Sequence, residues 1–153
     1  MRYGCITFID SYRFLSSSLD KLVKNLDEND FLILKKVFPE YWNILNKKLA
    51  YPYEYFNKIE DYQKPVANLK KEDFFSKLKN ECPDDSEIER TKQTIKFFNI
   101  KNGEELTRLY MKTDIILLTD VFEKFIKVST KDYGINPLYC VSLCSYTLQC
   151  CLK

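Results

Sequence analysis

Apolar residues recur at helical spacing from Leu109 to Phe125, LYMKTDIILLTDVFEKF. Advancing about 100° per residue from Asp114 places Tyr110, Leu117, Leu118, Val121, Phe125 and Val128 within about 60° of it. Lys112, Glu105 and Glu123 fall within about 20° of the opposite side, where solvated charges belong. The pattern predicts one long helix from about Glu104 to Ser129, closed by Gly134 and Pro137. An acid, Asp114, stands at the centre of its apolar arc. By the same count Asp120, about 120° away, is a flank residue.

The rest of the chain reads as short elements. CITFID, Cys5 to Asp10, suits a short strand. SSSLDKLVKNL opens a helix with one of Ser16 to Ser18 as its cap and Leu19, Leu22, Val23 and Leu26 as its face. Residues 27–39 give a loop and a second short helix stopped by Pro39. From Glu40 to Lys64 the text is aromatic and irregular, an ordered loop with short elements. The spacing over Lys70 to Asn80 predicts a helix with Phe74, Phe75 and Leu78 inward. Ser86 and Glu89 form a capping-box pattern that begins a helix running to about Phe98. Asn102-Gly103 predicts a turn.

Composition narrows the chemistry. The 153 residues are 45% hydrophobic, enough for a core, and their 24 basic and 22 acidic side chains leave a net charge of only +2. That balance argues against binding nucleic acid by bulk charge, so a polyanion would need local patches. The basic pairs Lys35-Lys36, Lys47-Lys48 and Lys70-Lys71 lie among aromatic stretches, as in grooves for single-stranded DNA; a solvated lysine surface is the plainer reading. Histidine is absent, which removes Ser/His and Cys/His couples, HExxH sites and Cys₂His₂ fingers. Carboxylates must carry any hydrolytic chemistry. Six cysteines without a CxxC pair read as reduced thiols. The apolar run at Cys5 to Ile9 is broken by Asp10, and no segment reaches the roughly 18 apolar residues that span a membrane. An intracellular protein, nuclear or cytoplasmic, is expected.

Burying a lone carboxylate costs several kcal/mol, so Asp114 must hold a cation, find donors or titrate to neutral. A Lys or Arg from elsewhere, a wet groove, or a metal or catalytic role would each satisfy it. Tyr110, one turn earlier on the same side, completes a Y-x-x-x-D spacing.

The surroundings of that spacing carry a resemblance. RLYMKTDIILLTDVFEKF resembles the third exonuclease motif of protein-primed family B DNA polymerases, the kind carried by adenoviruses, linear plasmids and Maverick/Polinton transposons. FIDSYRFLSSSLDKLVKNL, YPYEYF, FFSKLKNE and NPLYCVSLCSYTLQCCLK are similar to consecutive segments of the transposon-type enzymes, in the same order. The resemblance covers nearly the whole chain. It implies part of a 3′–5′ proofreading exonuclease over residues 1–134, of α/β ribonuclease-H-like fold, here mostly helical with one or two short strands. Residues 135–153 would begin the polymerase palm.

By resemblance, Asp114 would be a ligand of catalytic Mg²⁺ and a catalytic residue, and Tyr110 a catalytic residue that positions the attacking water or the scissile phosphate. Such sites need several carboxylates converging on metals about 3.5–4 Å apart. By resemblance, the family's D-x-E motif and its Asn and aromatic-Asp motif are expected before the FIDS segment, and neither is found there. The palm motifs, D-x-x-S-L-Y-P, the Lys-bearing motif and D-T-D, are likewise absent from this sequence. Cys144-Ser145 stands where relatives usually show Pro-Gly, and Cys151 where Gly is usual, as in a fragment or decaying copy. Asp10 is expected to cap neighbouring backbone. The partners implied are DNA, as a single-stranded 3′ end or primer-template, dNTPs and a terminal priming protein. The isolated chain is expected to be inactive. A nonenzymatic, helical DNA-binding or partner-binding remnant is the alternative.

Overall fold

The computed structural model describes residues 2–78 and 80–153. Within them the chain is predominantly helical. The α-helices are α1 (Leu19–Val23), α2 (Leu32–Val37), α3 (Trp42–Leu45), α4 (Asp85–Phe97), α5 (Gly103–Tyr133) and α6 (Leu143–Leu152), joined by short 3₁₀ turns. Strands β1 (Arg2–Tyr3) and β2 (Ile6–Thr7) form an antiparallel hairpin, with Gly4 at φ 59° in its turn. No sheet of the ribonuclease-H-like kind lies among the described residues; the helical description of this stretch holds. No helix among them is long and apolar enough to cross a membrane.

Local chemistry sets the boundaries. Ser18 accepts from the Lys21 amide at the start of α1, and Pro39 follows α2. Asp10 accepts from the Tyr12 amide at 3.0 Å and caps the turn Ser11–Arg13, the role expected of it. Three predicted features differ. The helix expected over Lys70 to Asn80 is a 3₁₀ turn, Glu72–Phe74, followed by an antiparallel bridge between Ser76 and Glu81; position 79 lies outside the described residues. Asp73 takes the Lys70 amide at 2.7 Å, and Asn80 at φ 54° turns the chain back, so the helical register never propagates. Phe74 is buried as expected, but Phe75 is exposed and Leu78 is 96% exposed. α4 begins at Asp85, before the Ser86 cap, because the Asp84 carbonyl already accepts from Glu87 and Ile88. Asn102 is an N-cap, accepting from the Glu105 amide at 3.0 Å, and Gly103 is the first residue of α5 rather than part of a turn. A Cβ at Gly103 would strike the buried Phe56 ring.

α5 is the axis of the fold. It runs past Ser129 to Tyr133, and Gly134 closes it at φ 65° with its amide on the Thr130 carbonyl. α1 and α2 pack along it, and Leu34, Leu45, Leu106 and Leu117 lie at the dry centre of the main core. A smaller cluster of Phe14, Cys140 and Tyr146 joins α6 to the far end of α5 through Phe122 and Phe125.

The buried face of α5 is rotated from the predicted one. Gly103, Leu106, Tyr110, Thr113, Ile116, Leu117, Asp120 and Val121 form the buried stripe, an arc centred about 75° from Asp114, and Ser129 is buried apart from it, under Tyr146. Asp114 therefore sits on the border of the buried face, not at its centre. Val128 is exposed, and Leu118 and Phe125 are half-buried. The carboxylate wholly within the core is Asp120, the expected flank residue, at 0% exposure. Its two oxygens accept from the amides of Ile33, 2.8 Å, and Leu34, 3.1 Å, and so fasten the start of α2 to α5. Polar side chains at core positions 113 and 120 hid half of the buried stripe, and the apolar residues facing the second cluster drew the count the other way.

Candidate functional site

Tyr110 and Asp114 occupy successive turns of α5 and open toward the segment after α3. That segment is fixed by Thr91 of α4, fully buried. Its hydroxyl accepts from the Ala50 amide at 3.0 Å and lies 3.2 Å from the Ala50 carbonyl. Leu49, Ala50, Tyr51 and Pro52 are buried, and the anchored segment sets Lys48, Tyr51 and Tyr53 against α5.

Lys48 Nζ stands 3.6 Å from Asp114 Oδ2 and 5.8 Å from the centre of the Tyr110 ring. The Tyr51 ring lies 4.7 Å from that of Tyr110 at 33°, and Tyr53 meets Tyr51 edge-on at 4.9 Å. The hydroxyls of Tyr53 and Tyr110 are hydrogen-bonded at 2.6 Å, and that of Tyr51 is bonded to Thr107 at 2.7 Å. Lys48, Tyr51, Tyr53 and Tyr110 line an open groove of ≈ 430 Å³ together with Ser18, Lys21 and the acids Asp20, Glu81, Asp84 and Glu87; Asp114 lies behind Lys48 and Tyr110 and is not part of that lining.

Asp114 is partly desolvated, with 21% of its side chain exposed. Burial raises its carboxyl above the usual carboxylate range, against the opposing pull of the Lys48 charge and the nearby Tyr110 hydroxyl. Its Oδ1 is buried and has no hydrogen-bond partner. Tyr110 is pushed far above the usual phenol range, first by burial and then by its bond to Tyr53. It is a neutral hydroxyl at any working pH, able to donate or accept but not to ionise.

The structure thus brings Tyr110 and Asp114 together, and adds Lys48, Tyr51, Tyr53 and the positioning residue Thr91. The irregular YPYEYF run has no helical period, so its rings could not be aimed from spacing. Lys48 was visible only as half of a basic pair. Those pairs do not converge: Lys35 lies over Trp42, Lys71 pairs with Asp85, and Lys36, Lys47 and Lys70 are exposed.

Mg²⁺ asks for an octahedron of oxygens, supplied as a rule by carboxylates, waters and substrate phosphates. Here one carboxylate faces one ammonium, which already balances its charge. Among the described residues no three His, Cys, Asp or Glu side chains converge to hold a metal. The orphan Oδ1 would welcome a cation, but these residues alone do not make a two-metal site. The six cysteines are free thiols, with Cys140 buried against Gln149. Comparison with protein-family models, with curated proteins and with solved structures finds no match to this chain.

Proposed function

We propose that this chain is the Tyr–Asp portion of the 3′–5′ exonuclease domain of a protein-primed family B DNA polymerase, and that its groove receives the single-stranded 3′ end of DNA. The observation that carries the reading is the buried, unpartnered Oδ1 of Asp114, held one turn from a neutral tyrosine hydroxyl and beside Lys48, two residues that themselves line an aromatic groove. Those are the parts such a strand needs. A base stacks on the exposed Tyr53 ring, backed by the buried Tyr51 and Tyr110, Lys48 meets the phosphate charge, and the Tyr110 hydroxyl orients one phosphate oxygen or a water. Tyr53 holds that hydroxyl in place.

Hydrolysis needs more carboxylates than Asp114 provides. Met111 and Ile115, 56% and 62% exposed, leave an open apolar stripe on α5 beside Asp114, where carboxylates supplied from outside these residues can approach. In the whole family protein the associated activities are DNA synthesis from dNTPs and use of a terminal priming protein. The ion pair of Lys48 and Asp114 also favours a second reading, a nonenzymatic element that binds DNA or a partner and does not turn over.

The test is release of 3′-terminal nucleotides from single-stranded DNA by the longest reading frame that contains these residues. Mg²⁺-dependent release abolished by Asp114→Ala supports the enzyme. Absence of release, or release indifferent to Asp114, contradicts it and leaves the binding element.

A further inference from the structure

We propose that a second surface, on the side of α5 away from Tyr110, holds single-stranded nucleic acid by stacking on Tyr41, Trp42 and Phe97. Tyr41 packs on Phe98 at 4.9 Å and on Phe97 at 6.1 Å between ring centres, and Phe38 meets Phe98 at 5.8 Å. The ends of α2 and α4 and the start of α3 are thereby joined in one aromatic surface. Phe97 is 58% exposed, and Tyr41, Trp42 and Phe98 are half-buried, packed against the main core on one side, with Trp42 against Phe31, and partly open to solvent on the other. Lys35 Nζ lies 4.2 Å over the Trp42 ring, and Lys112 Nζ lies 5.0 Å from the centre of the Phe38 ring. Lys112 follows Tyr110 by two residues, about 200° around the helix, which puts the two surfaces back to back.

The charge balance identifies the occupant. Lys36 and Lys96 are exposed beside these rings in sequence and add to Lys35 and Lys112; the acids nearby are Glu105, exposed beside Phe98 on the Lys112 face of α5, Glu40, in the turn between Phe38 and Tyr41, and Glu28, whose backbone carbonyl accepts from Lys35 at 2.8 Å, so four ammonium groups face three carboxylates. Flat apolar faces with an excess of ammonium groups suit a polyanion made of flat apolar units. Single-stranded nucleic acid is that polymer. A duplex keeps its bases stacked inside, and an acidic peptide has nothing to lay on the rings. The choice agrees with the proposed function but stands on different residues.

Trp42 is the only tryptophan, so its fluorescence reports this surface directly. Titration with an oligothymidylate of about twelve nucleotides should quench it saturably. Phe97→Ala should weaken binding about fivefold or more, the loss of roughly one stacking contact. Lys96→Glu should weaken it as well, and Phe97→Tyr should restore it, which excludes a folding defect. No quench, or equal quench by polyphosphate, a blunt duplex or polyglutamate, overturns the proposal. Internal 5-iodo-deoxyuridine locates the contacts independently. Crosslinks at Tyr53 with none at Trp42 overturn this surface and leave the groove standing; crosslinks at Trp42 with none at Tyr53 uphold it and count against the groove.

Discussion

The ammonium of Lys48 faces the carboxylate of Asp114 at 3.6 Å, across the junction between the segment after α3 and the middle of α5. The pair is mostly out of water, 33% and 21% exposed, but at 3.6 Å it is too long for a hydrogen bond and contributes no more than about 1 kcal/mol. Desolvation outweighs it, so the carboxyl titrates above the ordinary range. For an acid raised in the folded state, stability is fully present below its unfolded value and is lost as pH rises through the folded one. Thermal melts of the wild type should therefore fall through that window, and Asp114→Asn should flatten the fall. Asp114→Leu should stabilise the chain by about 1–2 kcal/mol, the gain from apolar burial less a weak ion pair. A lower melting temperature for Asp114→Leu at every pH would show that Lys48 needs its partner.

Asp30 has the opposite sign. Lys124 donates to it at 2.6 Å and holds its carboxyl below the usual carboxylate range. That stability is present above the unfolded value and is lost as pH falls through the folded one. Asp30→Asn should remove part of the acid-side loss and leave the Asp114 window untouched, as read from the same melts.

Asp120 is the structural acid of the fold. Asp120→Ala strands the amides of Ile33 and Leu34 in the core, each unmet donor costing about 1–3 kcal/mol. Urea unfolding should show a loss of about 3–5 kcal/mol. Asp120→Asn keeps one acceptor and should lose less. A loss below about 1 kcal/mol in the alanine variant would mean that water or a neighbouring group replaces the carboxylate.

Tyr110→Phe removes the hydroxyl shared with Tyr53 while the ring keeps its packing on Tyr51. In a longer active protein it should lower the exonuclease rate with DNA affinity nearly unchanged. Equal loss of rate and affinity would make Tyr110 an anchor for the groove rather than part of its chemistry.

Legibility from sequence followed the range of the interactions. α5, its Gly134 stop and the Ser18 and Asp10 caps depend on neighbours a few residues away, and the pattern showed them. Asp120 did not show, because its partners, the amides of Ile33 and Leu34, leave no trace in residue type. The bridge of Ser76 and Glu81 defeated a helical spacing that Phe74, Phe75 and Leu78 satisfied by chance. At the site, Tyr110 and Asp114 were legible as a spacing on one helix face. Lys48, Tyr51 and Tyr53 were not, since they are aimed by Thr91 from another helix.

The isolated chain should neither degrade nor extend DNA, because one carboxylate cannot assemble the catalytic set; Mg²⁺-dependent loss of labelled single-stranded DNA that disappears in Asp114→Ala would refute this.

Whether the groove beside Tyr110 takes a single-stranded 3′ end is read most directly by photo-crosslinking this chain to an oligonucleotide with 5-iodo-deoxyuridine at its 3′ terminus. Adducts are expected on Tyr53 or Tyr110, reduced by Lys48→Ala and displaced by unlabelled single strands but not by blunt duplex. Adducts absent from both tyrosines, or equally well displaced by duplex, would contradict that role for the groove.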